Sequence, residues 1–236
     1  MKHEFLAHSN RDEAADFAAR MAVGVLSAVI AESGKASFMV SGGSSPAPVF
    51  DRLAQADMAW NRVTVGLVDE RWVSPDDPGS NERLVRSHLL AGKAGAAGFV
   101  PMKTAAQTAA AAVADRNLAY GPHCDPIDLI LLGMGNDGHT ASWFPNAGGL
   151  KGAMHARHGE VVAAIDATGC PVAGEVTERL TLTGPTIIDS DAAILLIFGE
   201  EKRDVLKAAL KSEPDDRPIR FAVDGLGPRL TIIWAP

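Results

Sequence analysis

The sequence predicts an α/β protein with a doubly wound, mainly parallel sheet, and three observations predict it. Short apolar runs alternate with segments of helical periodicity along most of the 236 residues. Several of those runs end in glycine, serine or mixed-charge clusters, which is where open α/β sheets place their chemistry. No Pro/Gly/Ser-rich linker, internal repeat or low-complexity tail interrupts the chain, so residues 1–236 are expected to form a single domain.

Each element has a local reason. Residues 12–30 put Ala14, Phe17, Ala18, Met21, Val25 and Val29 on one side at three- and four-residue spacing, the pattern of a helix docked on a core. A strand over 36–40 runs into Ser41-Gly42-Gly43-Ser44-Ser45-Pro46 and then a helix over 47–54, where Pro46 suits a first helical position because its missing N–H costs nothing. Residues 63–68 form a second strand ending in Asp69-Glu70-Arg71-Trp72, and Ser80 is placed to cap a helix over 81–90. Phe99-Val100 is a short strand and 105–120 a helix. Residues 127–132 are a buried strand, apart from Asp128 near its start. Further strands are expected over 161–165, 180–182, 192–198 and 230–234, with a helix over 200–210.

Composition narrows the class. Hydrophobic residues make up 47% and charged residues 22%, a balance that suits a packed domain and not a disordered chain. With 22 basic against 29 acidic residues the net charge is −7, which disfavours general attraction to nucleic acid or anionic membrane. A small anion can still bind where a few cations and main-chain N–H groups converge. The early residues include Glu4 and Asp12 and lack the basic-then-apolar design of a secretory signal, and no apolar run approaches ~18 residues, so a cytoplasmic protein without a membrane partner is expected. Cys124 and Cys170 have no CxxC spacing and are expected to be reduced, partly buried residues.

Three strand ends carry candidate chemistry. The run from Ser41 through Gly42, Gly43 and Ser44 to Pro46 has the makings of an anion cradle: glycines expose N–H groups, hydroxyls donate, and the following helix points its positive end at the ligand. It is neither a P-loop nor a GxSxG elbow, which makes a covalent serine mechanism unattractive. Asp69 and Arg71 supply both charge signs at the second strand end. Arg71 can fork onto a phosphate or stabilise oxyanionic charge, and Asp69 can orient a sugar hydroxyl or the arginine. Gly133-Met134-Gly135-Asn136-Asp137-Gly138-His139 ends the strand over 127–132 in a tight turn that delivers an acid and an imidazole. Arg179 and Lys202, each beside a predicted strand, can complete an anion pocket.

Other signals carry less. Gly133 to Gly138 satisfies GxGxxG but lies deep in the chain, with no strand-end acid about 20 residues later to hold a ribose. His155 and His158 have no acidic or cysteine set at ligand spacing, and the scattered Trp60, Trp72, Trp143 and Trp234 make no base-stacking platform. No metal or cofactor is expected.

In combination these segments strongly resemble the 6-phosphogluconolactonase family. The resemblance spans nearly the whole chain: SGGSSP at 41–46, DERWV at 69–73, SNERLV at 80–85, LLGMGNDGHTASWFP at 131–145, RLTLT at 179–183, GEEK at 199–202 and WAP at 234–236. It implies a three-layer α/β/α, Rossmann-like fold related to glucosamine-6-phosphate deaminase. It further implies a cytoplasmic, metal-independent hydrolase opening 6-phospho-D-glucono-1,5-lactone in the oxidative pentose phosphate pathway. The deaminase class is the nearest alternative, but it typically continues from the Asp-Gly-His turn toward an Asn-Glu-Pro segment whose acid takes part in ring opening. Here Ser142-Trp143-Phe144-Pro145 stands in that place. Under the lactonase reading His139 is the base, Asp137 positions it or a substrate hydroxyl, and Arg71 with turn N–H groups stabilises developing charge. Ser41, Gly42, Gly43, Ser44, Asp69, Arg71, Gly135, Arg179 and Lys202 are the expected substrate contacts.

Overall fold

The computed structural model describes residues 3–236. In chain order its elements are β1 (Glu4–Ala7), α1 (Arg11–Ser33), β2 (Ala36–Val40), α2 (Ala47–Gln55), β3 (Val63–Leu67), β4 (Asp69–Arg71), α3 (Asn81–His88), β5 (Gly98–Val100), α4 (Ala109–Tyr120), β6 (Leu129–Leu132), α5 (Leu150–Met154), β7 (Val162–Asp166), β8 (Glu178–Leu182), α6 (Gly184–Ile188), β9 (Ala192–Phe198), α7 (Glu200–Ala209), α8 (Ile219–Leu226) and β10 (Leu230–Ala235). Seven strands form one sheet in the order β1-β10-β9-β6-β2-β3-β5, and every pairing in it is parallel. Every residue of β2, β6 and β10 is buried, the signature of central parallel strands covered on both faces by helices. The mixed α/β class is therefore as expected. Its chain path steps from β2 to β3 and β5, then returns to β6 on the other side, so the sheet reverses direction between β2 and β6.

Three strands leave this sheet. β4, β8 and β7 build a separate antiparallel sheet, with Arg71 opposite Arg179 and Asp69 opposite Thr181. Alternation of strand and helix does not reveal this, because strand polarity is set by which partner is available. Leu182 N–H donates to Val68 O at 2.8 Å and ties the small sheet to the end of β3.

Helix α1 corrects two expectations. Its buried residues are Ala14, Ala15, Ala18, Ala19, Ala22 and Leu26, while Phe17, Met21, Val25 and Val29 are only partly buried. Alanine lets the helix axis approach the strands closely, and the larger side chains then flank the contact. The same alanine content, with no charged residue from Met21 to Ala31, makes α1 long and apolar enough by length and composition to cross a bilayer, at a mean hydropathy of 1.6. Here it packs on α2 and on β2, β9 and β10. Helix α4 begins later than expected, at Ala109, because Thr108 caps it by accepting from Ala111 N–H and Glu178 accepts from Ala109 N–H at 2.7 Å. Asp128, the polar exception before β6, accepts from Ser37 N–H and hydroxyl at 2.6 and 3.0 Å. Both cysteines are free and buried.

Candidate active site

The sheet's reversal between β2 and β6 opens a crevice at their carboxyl ends. Ser41 N–H donates to Leu131 O at 2.9 Å, so the loops leaving the two strands begin side by side. They form one wall of a cleft of about 270 Å³, whose other lining comes from β4, the start of α3, β8 with the loop before it, and the first turn of α7. Ser41, Gly42, Gly43, Ser44, Asp69, Arg71, Gly135, His139, Arg179 and Lys202 all line it. Asp137 is the one expected site residue that does not; it reaches the cleft through His139.

The turn after β6 is built around that contact. Asp137 Oδ1 lies 2.6 Å from His139 Nδ1 and also accepts His139 N–H at 3.1 Å. Gly135 N–H donates to His139 O at 2.9 Å, and a Cβ on Gly135 would stand 2.1 Å from the imidazole Cε1, so only glycine admits the ring there. Burial pushes the Asp137 carboxyl up, but the hydrogen bond and charge of His139 outweigh it and hold the group below its ordinary range. An ionised carboxylate can only accept, so Nδ1 carries the proton and the Nε2 lone pair is left for chemistry. Phe144 packs against the ring, with centroids 4.4 Å apart.

The opposite wall is cationic. Arg71 and Arg179 are directly opposed across β4 and β8, a like-charge pairing that costs stability in a sheet. Among the described residues neither arginine nor Lys202 is in an ion pair. Arg179 is 3% exposed, and burial pulls its pKa down, opposed by Asp69 and reinforced by Arg71. It donates through Nε to Val176 O at 2.9 Å and through Nη2 to Ala173 O at 2.5 Å, so it also holds the loop before β8. Burial and the neighbouring Arg11 lower Lys202, against Glu201. The hydroxyl of Ser41 is buried in the cleft wall without a hydrogen-bond partner. Beside it, Gly43 has φ +96°, a left-handed conformation that disfavours any side chain, and the chain enters α2 at Pro46. An anion seated here would meet three cations that are in no ion pair among the described residues, a hydroxyl without a partner and the positive end of α2.

Comparison with known proteins accords with this geometry. A sequence profile described as "Glucosamine-6-phosphate isomerases/6-phosphogluconolactonase" matches residues 9–231. The chain belongs to this family. Within it, the 6-phosphogluconolactonase of Xylella fastidiosa (strain Temecula1) is 42% identical over 206 residues, covering 87% of this chain and 84% of its own. That of Rhizobium meliloti (strain 1021) is 41% identical over 212 residues, 89% of each chain. The crystal structure of a 6-phosphogluconolactonase from Shewanella baltica OS155 matches with a TM-score of 0.90 at 33% identity, covering 100% of this chain and 98% of that one. A monomeric glucosamine-6-phosphate deaminase shares the fold at 20% identity, with a TM-score of 0.77 over 98% of this chain and 97% of its own.

In this member of the isomerase/lactonase family, sequence reasoning missed three residues that shape the cleft. Asn81, at the first position of α3, lines it and accepts from Arg71. Glu70, between the two charged residues of β4, is buried and accepts from Arg71 N–H, Asn81 N–H, Glu82 N–H and the Ser80 hydroxyl at 2.7–2.9 Å. Burial pushes its carboxyl up against those four bonds. Ser142 is fully buried and donates to Asp69 Oδ2 at 2.6 Å. The sequence marked this group only as motif members, Glu70 within DERWV, Asn81 within SNERLV and Ser142 within LLGMGNDGHTASWFP, and gave a local role to Ser80 alone, as a helix cap. His155 and His158 are exposed, and among the described residues no group of three or more His, Cys, Asp or Glu could hold a metal ion.

Proposed function

We propose that the protein hydrolyses 6-phospho-D-glucono-1,5-lactone to 6-phospho-D-gluconate, the lactone-opening step of the oxidative pentose phosphate pathway, as a single-domain cytoplasmic enzyme. One observation carries this reading: two arginines are register partners across β4 and β8, neither in an ion pair among the described residues, on the wall of the cleft that His139 also lines. Such a pairing is unfavourable in an empty protein and is relieved by an anionic substrate. The sequence likeness to 6-phosphogluconolactonases supports the choice of anion.

The chemistry follows from the turn. His139 Nε2 removes a proton from a water, whose oxygen attacks the lactone carbonyl carbon. The carbonyl oxygen takes up the negative charge, which Arg71 and turn N–H groups stabilise. Collapse re-forms the C=O and breaks the bond from C1 to the ring oxygen, and the imidazolium returns its proton to that oxygen. The water proton thus ends on the new hydroxyl, and no group on the enzyme is consumed. Asp137 keeps the imidazole in the required tautomer throughout. Arg179, Lys202 and the 41–46 loop hold the phosphate, which fixes the reacting carbonyl against His139. Arg71 can serve either the phosphate or the reacting oxygen.

The test is a coupled assay on freshly generated lactone with spontaneous opening subtracted, without added metal or nucleotide. Acceleration above background is expected. Its absence would remove the assignment, and release of ammonia from glucosamine 6-phosphate would favour a deaminase. Tight binding of 6-phosphogluconate without turnover would indicate a sugar-phosphate binding module.

A further inference from the structure

The glycine pair of the 41–46 loop invites the reading that both residues are glycine for the ligand's sake. At Gly42 the surroundings say otherwise. A Cβ built there would stand 1.9 Å from Asn81 Oδ1 and 2.3 Å from Asn81 Cγ, far inside any contact a side chain tolerates. The space is already taken by the carboxamide of a residue 39 positions later in the chain.

That carboxamide has a fixed orientation and a fixed duty. Asn81 Nδ2 donates to the backbone oxygen of Asp69 at 2.8 Å, and because that oxygen can only accept, Oδ1 must face the other way. There it accepts from Arg71 Nη1 at 2.8 Å. The same Nη1 donates its second proton to Gly79 O at 2.7 Å. Both hydrogens of Nη1 are therefore used, while Nε and Nη2, the side-on fork that matches phosphate or carboxylate, make no hydrogen bond to the described residues. Asn81 is 2% exposed and bound on both sides, so it cannot swing to release the arginine.

We infer that Asn81 is the positioning residue for Arg71, and that Gly42 is glycine to admit the Asn81 carboxamide and not to admit the ligand. The 41–46 loop and Arg71 are thereby mechanically coupled: whatever moves the backbone at Gly42 moves the guanidinium. This rests on the lactonase reading for its assay, but the coupling is a separate claim.

Two double-mutant cycles test it, read as kcat/KM on the phosphorylated lactone, with thermal melting to confirm folding and calorimetric binding of 6-phosphogluconate as a second readout. Asn81→Ala is expected to lower kcat/KM roughly 10- to 100-fold in the parent and to have little further effect when Arg71 is already alanine. A merely structural asparagine would cost the same in both backgrounds, and that result overturns the positioning role. Gly42→Ala is expected to match the loss caused by Asn81→Ala, because it expels the carboxamide without deleting it, and so serves also if Asn81→Ala folds poorly. Combined with Asn81→Ala, the Gly42 substitution is expected to add almost nothing, since the space is then vacant. A double variant much weaker than Asn81→Ala alone would show that Gly42 faces the ligand. If the parent itself shows no lactonase activity, the functional reading fails first; the same cycles read by 6-phosphogluconate binding then decide the coupling alone.

Discussion

A carboxylate two residues before a histidine decides which nitrogen of the ring is basic. Because Asp137 holds Nδ1 at 2.6 Å, His139→Ala and Asp137→Asn should both damage turnover. The first is expected to lower kcat about 10²–10⁴-fold and the second by a large part of that, with 6-phosphogluconate affinity nearly unchanged. Near-normal kcat in His139→Ala, measured in the coupled assay, would reject it as the base. The same pair makes a prediction in pH. The Asp137 carboxyl is held below its ordinary range in the folded protein, so folding favours the ionised form. That contribution is complete above the ordinary carboxylate pKa and disappears as pH falls through the lowered value. Chemical denaturation across that window should therefore show the parent losing more stability on acidification than Asp137→Asn, and parallel curves would contradict the pairing. Sequence alone brought out His139 and Asp137 because both lie in one turn; it could not bring out Asn81, whose contact with Arg71 and Gly42 exists only once the 41–46 loop, the end of β4 and the start of α3 meet.

At the scale of elements, β4 and α3 are fastened by one side chain. Each Glu70 oxygen accepts two donors: Oε1 takes Arg71 N–H and Asn81 N–H, and Oε2 takes Glu82 N–H and the Ser80 hydroxyl. Glu70→Gln turns one of those oxygens into an NH2 that faces two donors, and the expected loss is about 1–3 kcal/mol of stability. Urea denaturation measures it; a variant as stable as the parent would mean that the helix end finds other acceptors. The charged cluster of β4 was legible because it ends a predicted strand, with roles given to Asp69 and Arg71, whereas the burial of Glu70 beneath the start of α3 depends on contacts ten to twelve residues away. The same limit hid β1 and α8. β1 is four mostly exposed residues without alternation, and α8 is eight residues between Pro218 and Gly227, too short for periodicity to stand out.

For the whole molecule, the two sheets share one contiguous core that includes Phe38 and Leu131 of the large sheet with Leu180 and Leu182 of the small one. Trp143 Nε1 donates to Leu182 O at 3.0 Å across that junction. Unfolding is therefore expected as a single transition, with far-ultraviolet dichroism and tryptophan fluorescence giving coincident curves. A separate early fluorescence transition would show the small sheet melting by itself. The parallel class was legible because buried apolar runs alternated with helices. The antiparallel excursion was not: the charged residues Asp166, Glu178 and Arg179 set β7 and β8 apart from the inner strands, but composition does not give a strand's direction, which depends on the partner available.

The order of strands in the large sheet also fixes an order of events in biosynthesis. β1 has β10 as its one strand partner, with Glu4 beside Thr231. At about 5–20 residues per second, a ribosome needs on the order of ten to fifty seconds to make the chain between them. Through that interval β1 has no edge to join, while β6 can pair with β2 but keeps its other edge open until β9 is made. Long-range parallel pairing of this kind forms slowly and leaves apolar edges uncovered meanwhile. The nascent chain's exposure to aggregation is thus concentrated before β9 and β10 emerge, and residues 4–7 are made before every other strand of the sheet and paired only when its last one is made.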